Sequence, residues 1–271
     1  MALLSISPND AIYYEYHEPA GETGYTFVFF NALTGDTGLW EAVIGPALRE
    51  QGHGTLAFNF RGQTDSPFSE NVRLDAEGIV ADSVTLLGQV QPVKPIFVGL
   101  SIGGLFAARA WLAGAAAQGI ILINTLRRDG PRLQWIGDAL VRAVDVGGLE
   151  LFRDLYLPLL MNEDWLSENR NNFLKTDPYA SLDPSSGIYK LLGEAGRSAD
   201  WDLPYEKLSL PVLVVTGLQD HVFLEPDVVE EFANRLPNGQ RVDLPDAGHL
   251  IPAERPESLT ETLLAFAKEI D

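Results

Sequence analysis

Short apolar runs alternate along the chain with segments of helical periodicity. The apolar runs contain few polar positions, so they lack the alternation of strands that have one solvated face. Continuous runs of this kind are typical of strands covered on both faces in a parallel sheet. The predicted strands cover 25–30, 55–60, 95–99, 119–124 and 211–217, with a weaker sixth at 240–244. Ahead of them, the segments LLSIS and IYYEYHE predict an antiparallel pair.

Between these runs, apolar residues recur at helical spacing. Ile79, Val80, Val84 and Leu87 form one such stripe. The predicted helices cover 39–51, 74–89, 102–116, 226–236 and 257–270. Strands that alternate with helices favour a mostly parallel, doubly wound sheet with right-handed crossovers. The predicted fold class is therefore α/β.

One long segment interrupts this alternation. More than 80 residues separate Asn124 from Pro211 without a convincing strand. A structureless loop of that length is uncommon within a compact domain. The segment contains three patches of helical periodicity, WIGDALVRAV, GLELFRDLYLPLL and GIYKLLGEAG. We therefore predict a helical cap at 126–207, called the cap segment below, inserted into a core domain formed by 1–125 and 208–271.

Length and composition narrow the class of protein. The chain has 271 residues, 46% of them hydrophobic, which is enough for one large α/β domain. It contains no cysteine, which excludes disulfides, thiolate metal sites and a cysteine nucleophile. The formal net charge of -19 disfavours nucleic acid and anionic membranes as partners. The first residues lack a basic segment before an apolar one, and no apolar window reaches membrane-spanning length, so we expect a cytoplasmic protein.

The segment 99–103 reads G-L-S-I-G and lies between a predicted strand and a predicted helix. This arrangement matches the G-x-S-x-G turn that presents a serine nucleophile, here Ser101, above a sheet. Glycines on either side remove side chains that would clash in the turn. Two other interpretations are a serine that only caps the helix and a dinucleotide-binding loop. The glycine spacing, G-x-x-x-G-G rather than G-x-G-x-x-G, argues against the second.

A serine hydroxyl becomes an effective nucleophile when a base takes its proton. Of the four histidines, His249 follows the sixth predicted strand and precedes the last predicted helix. This position places it at the carboxyl edge of the sheet, the same edge as Ser101. His221 could compete as the base. His17 and His53 lie in early segments and are predicted to be surface or turn residues.

The base in turn needs an acid that orients its imidazole. Asp220 follows a buried strand within four residues. The chain order is then Ser101, Asp220, His249, which is the order found in α/β-hydrolases. Asp220 could instead be a solvated loop carboxylate. Asp246 is a rival acid, although its side chain fits a turn cap better.

Acyl transfer also needs donors aimed at the oxygen that becomes negative. One candidate is the backbone N–H of Ile102, the residue after the proposed nucleophile. The second is expected in the loop NALTGDTGLW after the first core strand, where Leu33 is the candidate. The alternative is that this loop only connects a strand to a helix.

Together these motifs resemble the α/β-hydrolase superfamily from about Ala11 to the C-terminus. The segment Asn31-Ala32-Leu33, the GLSIGG turn and LINT after the next strand are similar to its 3-oxoadipate enol-lactonase branch. The resemblance implies the α/β-hydrolase fold with an inserted helical cap, and an activity that needs no cofactor and no metal. One departure is NFRGQT at 59–64, where that branch usually has Asp-x-Arg-Gly-His-Gly.

The substrates of the enol-lactonase branch are carboxylates, which implies an arginine in the pocket. Arg127, Arg128 and Arg132 open the cap segment, and Arg127 is the pocket candidate among them. Asn31 and Trp135 are further substrate-pocket candidates, although core packing is the commoner role of a tryptophan.

We therefore predict a serine hydrolase that cleaves a small ester or lactone through an acyl-enzyme, using Ser101, His249 and Asp220. One alternative is a carbon-carbon bond hydrolase of a ring-cleavage diketone, which would use the same three residues. An alternative from another class is a small-molecule receptor built on a hydrolase fold. The expected partner is a small-molecule substrate, and a homo-oligomer is compatible with the sequence.

Overall fold

Eight strands form one sheet in the computed structural model, which describes residues 2–174 and 176–271. Met1 and Lys175, which fall within the predicted core and cap ranges, lie outside the described residues. The strands are β1 (Ala2–Ser7), β2 (Asp10–His17), β3 (Thr26–Phe30), β4 (Gly54–Phe58), β5 (Pro95–Leu100), β6 (Gly119–Ile123), β7 (Val212–Gly217) and β8 (Gly239–Leu244). Their order across the sheet is β1-β2-β4-β3-β5-β6-β7-β8.

Across the sheet, every pair of neighbouring strands from β4 to β8 is parallel. Strand β2 pairs in antiparallel fashion with both β1 and β4. Val28 of β3 pairs with Leu56 on one side and with Phe97 on the other. The strand order reverses there, because the chain leaves β3 toward β4 and returns to β5 on the opposite side. In open α/β sheets, ligands bind outside the carboxyl ends of the strands at such a switch point. The predicted doubly wound α/β sheet is confirmed.

Helices cover both faces of the sheet. They are α1 (Gly38–Glu41), α2 (Ile44–Glu50), α3 (Ala76–Val90), α4 (Ile102–Leu112), α5 (Pro131–Leu160), α6 (Glu163–Phe173), α7 (Gly187–Ser198), α8 (Pro226–Ala233), α9 (Ile251–Glu254) and α10 (Pro256–Glu269), with a 3-10 turn at Tyr205–Lys207. The helix predicted at 39–51 is divided into α1 and α2. The division falls at Val43, whose backbone leaves the helical region at φ -136°.

The core lies in two layers, one on each face of the sheet. Phe27 and Phe29 pack on one face with α2 and α10, whereas Val28 and Phe30 pack on the other face with α3 and α4. All five residues of β3 are buried. Because side chains alternate between faces, a strand buried on both faces needs apolar residues at every position. This explains the continuous apolar runs of the sequence.

The cap segment contains α5, α6 and α7. The first two predicted patches join in α5, which bends at Gly148, where φ is 67°. The third patch is α7, but α6 was not predicted. None of its residues is fully buried, and its Trp165 and Leu166 are only partly buried where they pack against the small cluster of Leu160, Met161 and Val222. The Asn162 side chain caps α6 by accepting from the N–H of Trp165 at 2.8 Å. Among the residues that the structure describes, no helix, α5 included, is long and apolar enough to cross a bilayer.

Helix α4 approaches the sheet closely through glycines. A Cβ atom on Gly103 would lie 2.2 Å from the carbonyl oxygen of Phe30, and one on Gly104 would lie 2.0 Å from Thr125 Oγ1. A Cβ on Gly99, in β5, would lie 2.3 Å from the Cα of Gly104. Larger residues would therefore force the helix away from the strand that precedes it.

We expect Gly103→Ala to lower the free energy of unfolding by about 1–3 kcal/mol or more, because backbone atoms cannot move aside for the added methyl group. The measurement is equilibrium denaturation. The matched control is Gly88→Ala in α3, where a Cβ would meet nothing within 4 Å. That control should be neutral or stabilising by up to about 1 kcal/mol, because alanine favours helix. Equal effects of the two substitutions would contradict the close approach of α4.

Candidate active site

The carboxyl ends of the parallel strands bring the predicted site residues to one edge of the sheet. Ser101 follows β5, Asp220 lies in the turn after β7, and His249 lies in the loop after β8. All three are buried, with exposed fractions of 7%, 4% and 4%. The structure therefore brings together three residues that are far apart in the sequence.

Ser101 has a strained backbone. Its φ is 58° and its ψ is -125°, and α4 begins at the next residue. Its N–H donates to the carbonyl oxygen of Ile123 at 2.7 Å, which ties the turn to β6. A non-glycine residue at positive φ costs free energy and persists where its surroundings enforce it, often at functional sites. This turn directs the Ser101 hydroxyl to the edge where His249 lies.

His249 and Asp220 form a short contact, with Nδ1 of the imidazole 2.6 Å from Oδ2 of the carboxylate. The other carboxylate oxygen accepts from the backbone N–H of Val222 at 3.0 Å and of Phe223 at 2.9 Å. Burial raises the pKa of Asp220, but His249, the N–H of Phe223 and the charge of Arg127 together outweigh burial and lower the pKa below its usual value. The carboxylate therefore stays ionised and holds the imidazole in one orientation.

The rival acid and base lie elsewhere. Asp246 is on the surface, where it pairs with Arg255 at 2.8 Å. His221 is exposed, although it follows Asp220 directly. His17 is exposed in β2, and His53 accepts from the N–H of Tyr25 at 3.2 Å. None of these histidines pairs with Asp220 in the part of the chain that the structure describes.

Arg127 is the arginine that reaches this site. Its Nη2 donates to Ser101 Oγ at 2.8 Å and to the Asn124 carbonyl oxygen at 3.1 Å, and it lies 3.4 Å from His249 Nε2. The guanidinium carbon lies 4.0 Å from the ring centre of Phe223 and 4.9 Å from that of Trp201. Burial lowers the pKa of Arg127 to about 10, and the nearby Asp220 opposes this effect. Arg127 is therefore a buried cation in contact with the proposed nucleophile.

The other two candidate arginines make their contacts elsewhere, whereas Arg197 of the cap segment also borders the cavity over Ser101 and pairs with Asp138 at 3.0 Å. Arg128 is half-exposed and pairs with Glu231. Arg132 donates to the carbonyl oxygen of Val222 at 2.9 Å and pairs with Glu225 at 3.2 Å.

A cavity of about 170 Å³ lies over Ser101, between the sheet edge and the cap segment. Most of its wall is apolar, and the cap segment supplies seven of the lining residues as aliphatic or aromatic side chains, namely Leu133, Leu140, Phe152, Leu157, Leu160, Leu192 and Trp201. Arg127, Ser101 and His249 line its floor. The cavity therefore fits a small, largely apolar ligand with a polar group at the serine.

Leu33 and Ile102 border the cavity beside Ser101. The N–H of Ile102 is at the start of α4, where helix geometry provides no acceptor from a preceding turn. Gln63 holds the Leu33 loop, because its Nε2 donates to the carbonyl oxygens of Ala32 at 2.8 Å and Leu33 at 3.2 Å. Gln63 occupies the position of the histidine in the stretch usual for the enol-lactonase branch. This role of Gln63 was not predicted from the sequence.

Two predicted pocket residues do not line the cavity. Asn31 is buried, but its amide is used by the surrounding structure: Nδ2 donates to the Phe58 carbonyl oxygen at 2.9 Å, and Oδ1 accepts from Trp40 Nε1 at 2.8 Å. Trp135 lies on the outer face of α5 with 79% of its surface exposed. Both predictions are corrected accordingly, because each side chain is directed away from the cavity.

Asn124 joins three strand ends and was not predicted to do so. Its backbone has a φ of 48°. Its Nδ2 donates to the carbonyl oxygens of Gly248 at 3.0 Å and His249 at 2.9 Å, and its Oδ1 accepts from the N–H of Gly217 at 2.8 Å. The sequence signal that could have indicated this role is the position of Asn124, a polar residue directly after a buried strand.

Glu254 holds the loop that carries His249. Its Oε2 accepts from the N–H groups of Gly248 at 2.8 Å and Asn162 at 2.7 Å, and its Oε1 accepts from that of Leu250 at 2.9 Å. Burial raises the pKa of Glu254, and these three donors oppose the rise. One carboxylate thus connects both neighbours of His249 to the cap segment.

The end of α5 also binds the two loops directly. The N–H of His249 donates to the carbonyl oxygen of Leu160 at 2.6 Å, and that of His221 donates to the carbonyl oxygen of Leu159 at 2.9 Å. The cap segment therefore contributes acceptors to the backbone on which the imidazole and carboxylate are mounted.

A group of potential metal ligands in the described part of the chain consists of Glu15, His17 and Glu41, whose ligand atoms lie within 4.8 Å of one another. His17 pairs with Thr55 at the start of β4, at the edge of the sheet opposite Ser101. Glu41 already pairs with Arg49 at 2.9 Å. This group therefore takes no part in the candidate active site.

We expect Glu254→Gln to destabilise the fold by about 1–3 kcal/mol, because the amide nitrogen cannot accept from the backbone donors left facing it. Equilibrium denaturation measures the change. Asp246→Asn is the matched control, since Asp246 is an exposed carboxylate of the same loop, and its loss should cost at most about 1 kcal/mol. If the two substitutions cost the same, Glu254 does not hold the loop as described.

Comparison with known proteins places the chain in a family. A family model described as alpha/beta hydrolase fold matches residues 25–256. 3-oxoadipate enol-lactonase 1 of Acinetobacter baylyi is 28% identical over 92% of this chain and 91% of its own length. A Mycobacterium tuberculosis protein provisionally named a non-heme bromoperoxidase is 25% identical over 90% of this chain and 94% of its own. The solved structure of MGS-M2, an alpha/beta hydrolase enzyme from a Medee basin deep-sea metagenome library, has a TM-score of 0.82 at 18% identity and covers 98% of this chain and 96% of that one. The resemblance predicted from the sequence is confirmed, and the chain belongs to the alpha/beta hydrolase family.

Proposed function

We propose that this hydrolase cleaves a small ester or lactone through an acyl-enzyme formed on Ser101. The observation that carries the proposal is the buried 2.6 Å contact of His249 Nδ1 with Asp220 Oδ2, next to a serine in a strained strand-to-helix turn. A carboxylate on one imidazole nitrogen leaves the other nitrogen to act as a base. The apolar cavity of about 170 Å³ over Ser101 supports a small acyl group.

In the proposed reaction, Ser101 Oγ attacks the carbonyl carbon while His249 Nε2 takes the hydroxyl proton. The carbonyl oxygen becomes negative and accepts from the N–H groups of Leu33 and Ile102. Such donors lower the barrier because they are already oriented in a site from which water is largely excluded. When the carbon–oxygen bond breaks, His249 returns the proton to the leaving oxygen.

The acyl-enzyme is then hydrolysed by water. His249 takes a proton from the water molecule, the hydroxide adds to the acyl carbon, and the proton returns to Ser101 Oγ as the acid leaves. Asp220 remains ionised throughout and keeps the imidazole oriented, without taking the proton itself.

The relatives support the ester or lactone class. One relative is named 3-oxoadipate enol-lactonase 1, and its similarity extends over 92% of this chain. A lactone is a cyclic ester, so the same attack and proton transfers would open its ring.

Fluorophosphonate labelling tests the proposed nucleophile. We expect labelling of Ser101 in the wild-type protein and none in Ser101→Ala, because only an activated serine attacks phosphorus readily. His249→Ala should lose both labelling and turnover of short p-nitrophenyl esters. Mass spectrometry of the labelled peptide and absorbance of released p-nitrophenolate are the measurements.

His221→Ala is the matched control, since this exposed histidine is adjacent to Asp220 and should be dispensable. Saturable binding of esters without labelling or turnover would contradict the proposal and favour the receptor alternative.

Asp220→Asn should retain the fold and lower kcat by about 10⁴-fold, because an amide favours the wrong tautomer of His249. The loss should appear in kcat rather than in KM, since Asp220 does not line the cavity over Ser101. A loss of less than about tenfold, with the melting temperature unchanged, would show that another acid orients the base.

A further inference from the structure

A second cavity of about 420 Å³, called the cap groove below, lies in the cap segment between α5 and α6. Its volume is more than twice that of the cavity over Ser101. Arg153, Glu163 and Arg170 line it and are exposed to solvent. The rest of its wall is mostly apolar and includes Leu157, Pro158, Trp165, Leu166, Phe173 and Leu174. The cap groove could therefore hold an apolar chain.

One side chain separates the cap groove from the cavity over Ser101. Within residues 2–174 and 176–271, Leu157 is the residue that lines both. It is partly buried in a small apolar cluster, against which Trp165 and Leu166 of the cap groove also pack. Phe223 and Leu250 of the cavity pack against the same cluster. The wall between the two cavities is therefore apolar, and Leu157 spans it.

Leu157 lies on the side of the cavity where His249 lies. The carbonyl oxygen of Leu160, nearly one turn further along α5, accepts from the N–H of His249 at 2.6 Å. The ring centre of Phe223, which packs against the same cluster as Leu157, is 4.9 Å from that of His249. In ester hydrolysis the leaving oxygen must reach His249 Nε2 to receive its proton. A chain carried by that oxygen is therefore directed toward Leu157, and the acyl chain is directed to another part of the cavity.

We propose that Leu157 limits the length of the alcohol that this hydrolase releases, because its side chain closes the cavity toward the cap groove. The inference rests on the ester hydrolysis proposed above. A short leaving group fits within the cavity of about 170 Å³. A longer alkyl chain meets the Leu157 side chain, and forcing extra atoms into a closed apolar wall costs free energy.

The backbone around Leu157 is fixed, so a smaller side chain there would leave an opening. The carbonyl oxygens of Leu159 and Leu160 accept from the N–H groups of His221 and His249. These bonds hold the end of α5 against the loops of the candidate active site. A truncated side chain leaves a cavity where its surroundings cannot collapse. In Leu157→Ala, an alkyl chain could then pass from the cavity into the cap groove.

The test measures kcat/KM for two series of esters. The alcohol series is ethyl, butyl, hexyl and octyl butyrate, and the acyl series is ethyl butyrate, ethyl hexanoate and ethyl octanoate. Water cleaves each ester to a carboxylic acid and an alcohol, and titration of the released acid measures the rate. We expect kcat/KM of the wild-type protein to fall by about 10-fold to 100-fold from ethyl to octyl butyrate, as for overpacking of a filled site.

Leu157→Ala should raise kcat/KM for octyl butyrate by about 10-fold to 100-fold, because each methylene that becomes buried in the cap groove contributes up to about fourfold. The order of rates within the acyl series should stay unchanged. Leu157→Phe should move the limit to shorter alcohols. Leu155→Ala is the matched control, since this leucine of the same helix is 53% exposed and lines neither cavity.

A double variant tests whether the chain enters the cap groove. Trp165 lines the cap groove and not the cavity over Ser101. Adding Trp165→Ala to Leu157→Ala should therefore remove several-fold of the gain for octyl butyrate. An unchanged gain would contradict binding in the cap groove. Melting temperatures show whether each variant is folded.

The outcomes separate the two proposals. If the wild-type protein is labelled by fluorophosphonate but Leu157→Ala leaves the ratio of octyl to ethyl butyrate unchanged, the role of Leu157 is wrong and the hydrolase function stands. A wild-type preference for octyl butyrate, or a gain confined to the acyl series, overturns it likewise. If Leu157→Ala is unfolded, an unshifted limit in Leu157→Phe overturns it. If the wild-type protein is neither labelled nor active on either series, the proposed function fails and this inference fails with it.

Discussion

The close approach of α4 to the sheet is the constraint on which the rest of the structure depends. Backbone of Phe30 and the side chain of Thr125 lie where Cβ atoms on Gly103 and Gly104 would stand. A helix that starts so near its own strand requires the chain to reverse within one residue. The chain reverses at Ser101, and the positive φ of this residue is the result. The position of the start of α4 beside the cavity and the position of the serine therefore have a common cause.

The second determinant is the network of backbone hydrogen bonds around His249. Asn124 donates to the carbonyl oxygens of Gly248 and His249, and Glu254 accepts from the N–H groups on either side of His249. Asp220 accepts from two N–H groups of its own turn. Polar groups buried at a sheet edge must find partners, and here the partners also set the direction of the imidazole. The geometry of the site thus depends on hydrogen bonds to buried backbone groups as well as on contacts between side chains.

Much of this arrangement could be predicted from the sequence. Strands buried on both faces leave a continuous apolar signal, so β3, β5, β6 and β7 were found nearly residue by residue. Ser101, Asp220 and His249 could be placed because each follows a predicted strand, and parallel strands end at one edge. Arg127 became a pocket candidate by a different route, because the resemblance to the enol-lactonase branch implies an arginine in the pocket.

Other features leave no such signal. Asparagine and tryptophan are both common in pockets, so the sequence made Asn31 and Trp135 candidates. Only the three-dimensional structure shows that Asn31 is hydrogen-bonded to Phe58 and Trp40 and that Trp135 faces outward. The contacts of Glu254 join groups 92 and 6 residues away in the chain, which no local pattern reveals. Helix α6 has no fully buried residue and only a short, partly buried apolar patch, so its periodicity gives a weak signal.

The carbonyl groups at the end of α5 have a consequence for protein engineering. Leu159 and Leu160 offer acceptors to the backbone of His221 and His249, so the cap segment and the loops of the candidate active site share hydrogen bonds. A chimera that exchanges this cap segment for that of another hydrolase would have to reproduce both acceptors at the junction. Matching only the shape of the new cap segment to the sheet would leave two amides on these loops without acceptors.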